Sequence, residues 1–289
     1  MWFCGPVKFC EILWLNYRTP CNLWINKMRN KIFKIFLWAF LISLVLFFLT
    51  LIFGLFQQLK ITSVQRQFAA GEIFFAIKLT LLTATVSAVI ALIFAVPSAY
   101  ILSRYNFPLK NIVNSILYLP IVISPIALGA MLLIFFNTPV GKFFESNVFR
   151  VVFEVPAIIL AQFIVIIGLA VSLIKSVIDY INPEYEIIAR CLGATQSQTF
   201  FHILLPTAKK GILSAFLLVW ARAVGEFGAT VTLAGATTMK TETMPVAIFL
   251  SFASCDIYNA IILILISLFI GIAVLYGIHI YAENRKPQL

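Results

Sequence analysis

Residues 79–102 read LTLLTATVSAVIALIFAVPSAYIL, with no Asp, Glu, Lys or Arg. At about 1.5 Å of rise per residue, roughly 20 helical residues cover the ~30 Å hydrocarbon core of a bilayer. The stretch is therefore read as one membrane-crossing helix. Ala84, Ala88, Ala91, Ala95 and Ala99 recur at helical spacing along it. Small residues on one face let neighbouring backbones approach closely, which is how helices pack where lipid removes the hydrophobic drive.

Long apolar stretches recur at residues 35–56, 112–136, 155–174, 211–234 and 260–281, which makes six spans, five of them without Asp, Glu, Lys or Arg. The chain as a whole agrees: 289 residues, 62% hydrophobic, 11% charged, with a mean hydropathy of +1.03. Soluble domains carry about 25% charged residues, so the solvent for this surface is lipid. The expected fold is an all-α integral membrane protein with one transmembrane domain over residues 35–282. A shorter apolar run, 244–254, cannot span and reads as a re-entrant or interfacial helix. Pro97, Pro120 and Pro125 free backbone carbonyls and permit kinks. The connections 57–72, 137–154 and 235–259 are read as plain connectors, with a docking face as the alternative.

Lys and Arg set the orientation. With both ends inside, twelve fall within 27–34, 104–110, 175–210 and 285–286, against six at positions 60, 66, 78, 142, 150 and 240. This bias predicts cytoplasmic N- and C-termini, with residues 1–34 an N-terminal segment and 283–289 a tail. Much of the +10 net charge is thus topological, and no basic, aromatic-interleaved platform points to nucleic acid. Residues 1–27 have two competing readings: a gene-model extension ahead of a true start at Met28, or an interfacial amphipathic segment. Cysteines 4, 10, 21, 191 and 255 form no Cys-x-x-Cys pair, and Cys191 and Cys255 are expected on opposite sides. Neither a disulfide framework nor a zinc site is expected.

Between the fourth and fifth spans, residues 179–210 are too amphipathic for a plain connector. Asn182 is a good N-cap, Pro183 suits the first helical position, and Glu184 and Glu186 complement the helix dipole. Tyr185, Ile188 and Leu192 fall on one face. Gly193 breaks the helix, and Thr195-Gln-Ser-Gln198 offers a capping box for a second helix running to Pro206. A short helix, a glycine bend and a second helix with aromatic side chains suit docking into a cleft of a partner. Packing of the pair against lipid or the protein's own spans is the alternative.

The run Glu186-Ile-Ile-Ala189-Arg190-Cys-Leu-Gly193, nine residues, then Ile203-Leu-Leu205-Pro206 resembles the Glu-Ala-Ala loop of binding-protein-dependent ABC importer permeases. The glycine-to-proline spacing matches that family's. Ile187 and Ile188 occupy its Glu and first Ala positions, Ala189 is kept, and Glu186 stands one place early. The resemblance implies a type I ABC importer permease fold. It also implies that the loop, with Glu186, Ala189, Gly193, Ala194, Thr195, Ser197 and Pro206, is the coupling element that inserts into a separate ATPase subunit.

Arg222 and Glu226 lie in the fifth predicted span, four apart. Charged side chains at mid-bilayer are unfavourable by about 2.5–3.5 kcal/mol on insertion scales, so both are expected to face the bundle interior or water. They form either a structural pair or part of a substrate pathway, with Gly225, Gly228 and Thr230 beside them. The string Gly225-Glu-Phe-Gly-Ala-Thr230, with Leu233-Ala-Gly-Ala and Thr241-Glu-Thr-Met-Pro-Val-Ala-Ile248, is similar to the molybdate/tungstate permease branch and nearly as close to the sulfate branch. That likeness implies a second permease copy in a homodimer, two cytoplasmic ATP-binding subunits and an external oxyanion-binding protein, in a multi-pass cell-membrane assembly. No Gly-x-x-x-x-Gly-Lys-Ser/Thr loop occurs, so no cofactor is expected in this chain, and ATP and Mg belong to the partner. His202 and His279 form no His-Glu-x-x-His cluster, which argues against an intramembrane enzyme. A membrane scaffold that merely docks a soluble partner is the rival from another class.

Overall fold

Ser124 adopts an extended conformation (φ −57°, ψ 133°) immediately before Pro125, and there the third predicted span breaks. The computed structural model describes residues 20–58, 71–147 and 150–283, with side chains left out at 20–30, 32 and 278–283. The readings of residues 1–19, of 59–70 and of the tail from 284 onward lie outside the described residues. The chain divides into two units, residues 1–58 and 59–289.

The first unit contains α1 (Pro20–Gln57). Its Phe33–Gln57 portion, 25 residues, is long and apolar enough to cross a membrane and contains the predicted first span. In the second unit, α2 is Glu72–Arg104, α3 Lys110–Val122, α4 Pro125–Asn137, α5 Pro139–Asn147 and α6 Val155–Asp179. After these come α7 (Glu184–Cys191), α8 (Gln196–Thr199), a π-helical turn (Phe200–Leu204) and α9 (Leu205–Val224). The last three helices are α10 (Gly228–Ala234), α11 (Met244–Ala253) and α12 (Ile257–Glu283). No strand occurs among the described residues. Five helices are long and apolar enough to cross a membrane, and six if the bent pair α3–α4 is one span.

The alanine face of α2 is fully buried, with Ala84, Ala88, Ala91, Ala95 and Ala99 all at 0% exposure. It packs in one apolar cluster with Ile166, Ala170 and Ile174 of α6, Val219 and Ala223 of α9, Met244 of α11 and Leu263 of α12. A second cluster joins Leu128 and Phe136 of α4, Ile158 and Ala161 of α6, and Ala229 and Leu233 of α10. Close approach is possible where glycine removes the Cβ. A Cβ on Gly168 of α6 would lie 2.5 Å from the Leu117 carbonyl of α3, and one on Gly129 of α4 would lie 2.8 Å from the Ala229 backbone.

Three sequence expectations are corrected here. The third span is a pair of helices bent by 109°. A residue before proline is pushed out of the α region, and Pro125 then starts a new helix. Pro97 and Pro120 stand inside unbroken helices. The fifth span is Gln196–Val224 and not 211–234, because the chain leaves the helix at Gly225 and restarts as α10. The connection 137–154 is no plain connector but contains α5. The Thr138 hydroxyl accepts from the Gly141 N–H at 3.3 Å, an N-cap with Pro139 at the first position.

Candidate functional site

The segment 179–210 folds much as its local signals dictate. The Asn182 side-chain oxygen accepts from the Glu184 N–H at 3.0 Å and opens α7. At its other end, the Ala194 N–H donates to the Ala189 carbonyl and the Gly193 N–H to the Arg190 carbonyl, both at 3.0 Å. This is the Schellman pattern of paired closing bonds, with the left-handed residue at C′. Gly193 occupies that position at φ +93°. The Thr195 hydroxyl then accepts from the Gln198 N–H at 3.3 Å, and the Gln198 side chain accepts from the Thr195 N–H at 2.8 Å. The capping box is formed in both directions.

Proline does not end the second helix. Residues Gln196–Val224 run on as one helix, with the π-helical turn just before Pro206. There the Leu205 N–H reaches back to the Phe200 carbonyl. Proline lacks an N–H and crowds the carbonyl four residues earlier; the wider turn, often found at functional sites, accommodates it within a continuous helix.

The expected face is present: Tyr185 (57% exposed), Ile188 (57%) and Leu192 (84%) point outward, together with Phe201. Gly193, Thr195, Ser197 and Pro206 are exposed and Ala194 is half-buried. Glu186 and Ala189 lie on the opposite, buried face of α7. Glu186 is only 2% exposed. The Arg104 Nε donates to its Oε1 at 2.7 Å, and the Tyr100 hydroxyl donates to its Oε2 at 3.1 Å. Arg104 and Tyr100 were not singled out from sequence. The available signal was an arginine closing an otherwise apolar span.

Arg222 and Glu226 do pair, Nη1 to Oε2 at 2.8 Å, but at the end of α9 and in the break that follows. Glu226 is 1% exposed, and its Oε1 accepts from the Ala229 N–H at 3.0 Å, which caps α10. Gly225 terminates α9. A Cβ on Gly228 would lie 3.0–3.1 Å from Ile126 and Pro125 at the start of α4. Thr230 is fully buried, and its hydroxyl has no hydrogen-bond partner among the described residues. Gln162 of α6, also missed, ties three helices together. It accepts from the Ser87 hydroxyl at 3.0 Å and donates to the Ala223 carbonyl at 3.2 Å. A buried glutamine inside a span was the signal, since intramembrane polar groups are expensive unless paired.

In the connection after α10, burial pushes the Glu242 carboxyl above its ordinary range; the Met239 N–H opposes the rise, and the neighbouring Glu72 adds to it. Lys240 pairs with Glu154 at 2.5 Å. Among the described residues, Cys191 and Cys255 are free and exposed.

A family profile described as "Binding-protein-dependent transport system inner membrane component" matches residues 91–286. The chain is 34% identical over 173 residues to the sulfate transport system permease protein CysW of Synechocystis sp., covering 59% of this chain and 63% of that one. With the protein of the same name from Synechococcus elongatus it shares 34% over 172 residues, or 60% of the relative. These alignments span less than two thirds of either relative. It is 33% identical over 237 residues to the molybdate/tungstate transport system permease protein WtpB of Methanocaldococcus jannaschii, covering 80% of this chain and 93% of the relative. Among solved structures, a chain of a bacterial alginate ABC transporter, in complex with an alginate-pentasaccharide-bound periplasmic protein, superposes with a TM-score of 0.72. Its identity is 18%, over 91% of this chain and 97% of the other. That likeness speaks for the fold.

Proposed function

Because this chain belongs to the family of binding-protein-dependent transport system inner membrane components, we propose that it is the permease subunit of an ATP-driven oxyanion importer. It is a multi-pass membrane protein, and the loop 179–210 couples it to a separate ATPase. The observation that carries the reading is the loop's geometry: a capped helix, a left-handed glycine bend and a second capped helix present Tyr185, Ile188 and Leu192 outward. Exposed apolar side chains on a rigid knob fit a cleft in a partner. In this reading the loop and both termini are cytoplasmic. A second copy of the chain, two ATP-binding subunits and an external binding protein complete the assembly. ATP and Mg act on the partner, and this chain carries no catalytic residue.

The transported ion is molybdate or tungstate in the reading favoured here, supported by the relative matched over most of both chains. Sulfate is the second reading, supported by the two cyanobacterial relatives. The test is uptake of labelled tungstate into vesicles holding the complete complex, with ATP supplied on the loop side. ATP-dependent accumulation that unlabelled molybdate suppresses and sulfate does not is the expected result. The reverse competition would assign sulfate. ATPase binding with no oxyanion uptake would leave only a scaffold.

Arg222 and Glu226 act as a structural pair in this proposal, since both Glu226 oxygens are engaged within the protein. Glu226→Gln removes the charge and leaves one oxygen for two donors, so its NH2 faces either Arg222 or the Ala229 N–H. The expected cost is about 1–3 kcal/mol, discounted from fully buried pairs because Arg222 is half-buried. It is read as a lower unfolding midpoint and reduced assembly. Normal assembly with altered flux would place the pair in the pathway instead.

A further inference from the structure

The loop's three parts meet a single turn of α2. At its start, the Ile181 carbonyl accepts from Arg104 Nη2 at 2.8 Å, and the Ser103 hydroxyl donates to Asp179, the last residue of α6. In α7, Glu186 is gripped by Arg104 and by Tyr100. At its exit, the ring of Phe200 in the π-helical turn lies 4.9 Å from the ring of Tyr100, edge to face. Tyr100, Ser103 and Arg104 stand at i, i+3 and i+4, one helical face. Arg104 is 12% exposed and Glu186 2%, so water screens their attraction little.

Of the loop's two covalent routes into the membrane, one joins it directly to α6 at Asp179 and the other leads into α9. The latter passes through the π-helical turn, whose wider ring departs from regular α-helix and is a common place for helices to bend. A load on α7 therefore meets a short backbone link to α6, a desolvated side-chain clamp onto α2, and a turn into α9 of the kind at which helices bend. From this arrangement we infer that Arg104, with Tyr100, is the positioning group that delivers displacement of the loop to the bundle, and that α2 moves with the loop. The buried alanine face of α2 then passes the motion to α6. The inference rests on the coupling role proposed for the loop.

The test uses the complete complex in vesicles, with ATP hydrolysis and tungstate uptake recorded on the same sample and retained ATPase quantified. Arg104→Gln is expected to lower uptake per ATP hydrolysed roughly tenfold, within the range of ordinary allosteric couplings, while the ATPase stays bound. The charge-exchanged R104E/E186R pair restores part of the ratio, because it re-forms the ion pair but leaves the Ile181 carbonyl without the donor that Arg104 supplies. Tyr100→Phe, which removes one hydroxyl, lowers it by a smaller factor and decides the matter if Arg104→Gln does not assemble. Parent-like uptake per ATP in both single variants overturns the inference, as does a loss that only tracks the amount of folded complex. Failure of the unmodified chain to bind the ATPase is a separate result, and it overturns the coupling role itself.

Discussion

Gly193→Val abolishes coupled uptake while leaving the protein in the membrane at its normal level. Gly193 sits at φ +93°, and a Cβ there would meet nothing within 4 Å, so crowding plays no part and the penalty is purely conformational. A β-branched residue at positive φ is an outlier, and holding one there costs about 1–3 kcal/mol. Two closing bonds, Gly193 to Arg190 and Ala194 to Ala189, depend on that geometry. Relaxing the strain means releasing them and rotating α7 relative to the capping box at Thr195. At about 1.4 kcal/mol per factor of ten, the docking geometry is depopulated by roughly one to two decades. Gly193→Asn serves as the graded control, because asparagine tolerates the left-handed region better than other L residues. Uptake, ATPase retention and membrane content are measured together. Unchanged uptake in the valine variant would refute the docking role, and the asparagine variant is expected between valine and the parent.

Gly168→Val has its effect in the bundle and not in the loop. The Cβ introduced there would lie 2.5 Å from the Leu117 carbonyl oxygen, a backbone atom of α3 that cannot rotate away. Helices α3 and α6 must separate, and overpacking of this kind typically costs about 1–3 kcal/mol, sometimes more. The displacement is passed to α4, since α3 leads directly into the bend before Pro125. A lower unfolding midpoint in detergent and a smaller folded fraction are expected. Gly271→Ala in α12 is the matched control, because nothing lies within 4 Å of its added Cβ. In a helix that substitution stabilises by about 0.4–1 kcal/mol. If Gly168→Val unfolds at the same midpoint as the Gly271 variant, the close approach of α3 to α6 has been misjudged.

Both effects bear on what a single chain reveals before it folds. The bend at Gly193 and the caps around it were legible, because each donor and acceptor lies within six residues of its partner along the chain. Four of the six apolar stretches, 35–56, 79–102, 155–174 and 260–281, were legible for a similar reason: the bilayer sets one length requirement, and each of them meets it by its own composition. Arg222 and Glu226 were legible only as a pair at i, i+4, which is what they form.

Other features depended on neighbours far away in the chain. Three prolines looked equivalent as kink sites, yet Pro97 and Pro120 stand in continuous helices and only Pro125 follows a break. The local clash is similar at each, and the packing of Gly129 against α10 and Gly168 against α3 accompanies the one bend that is realised. Pro206 looked like a terminator, but the π-helical turn takes it into a continuous helix. Glu226 looked like a mid-span charge, and proved to cap α10 in the break. Glu186 shows the division most plainly. Its place in α7 follows from its immediate neighbours. That it turns inward follows from Arg104, 82 positions earlier. The Gly193 bend is written in short-range hydrogen bonding and the unbroken spans in composition, whereas the direction of a buried charge is set by whichever opposite charge the packed helices bring within reach.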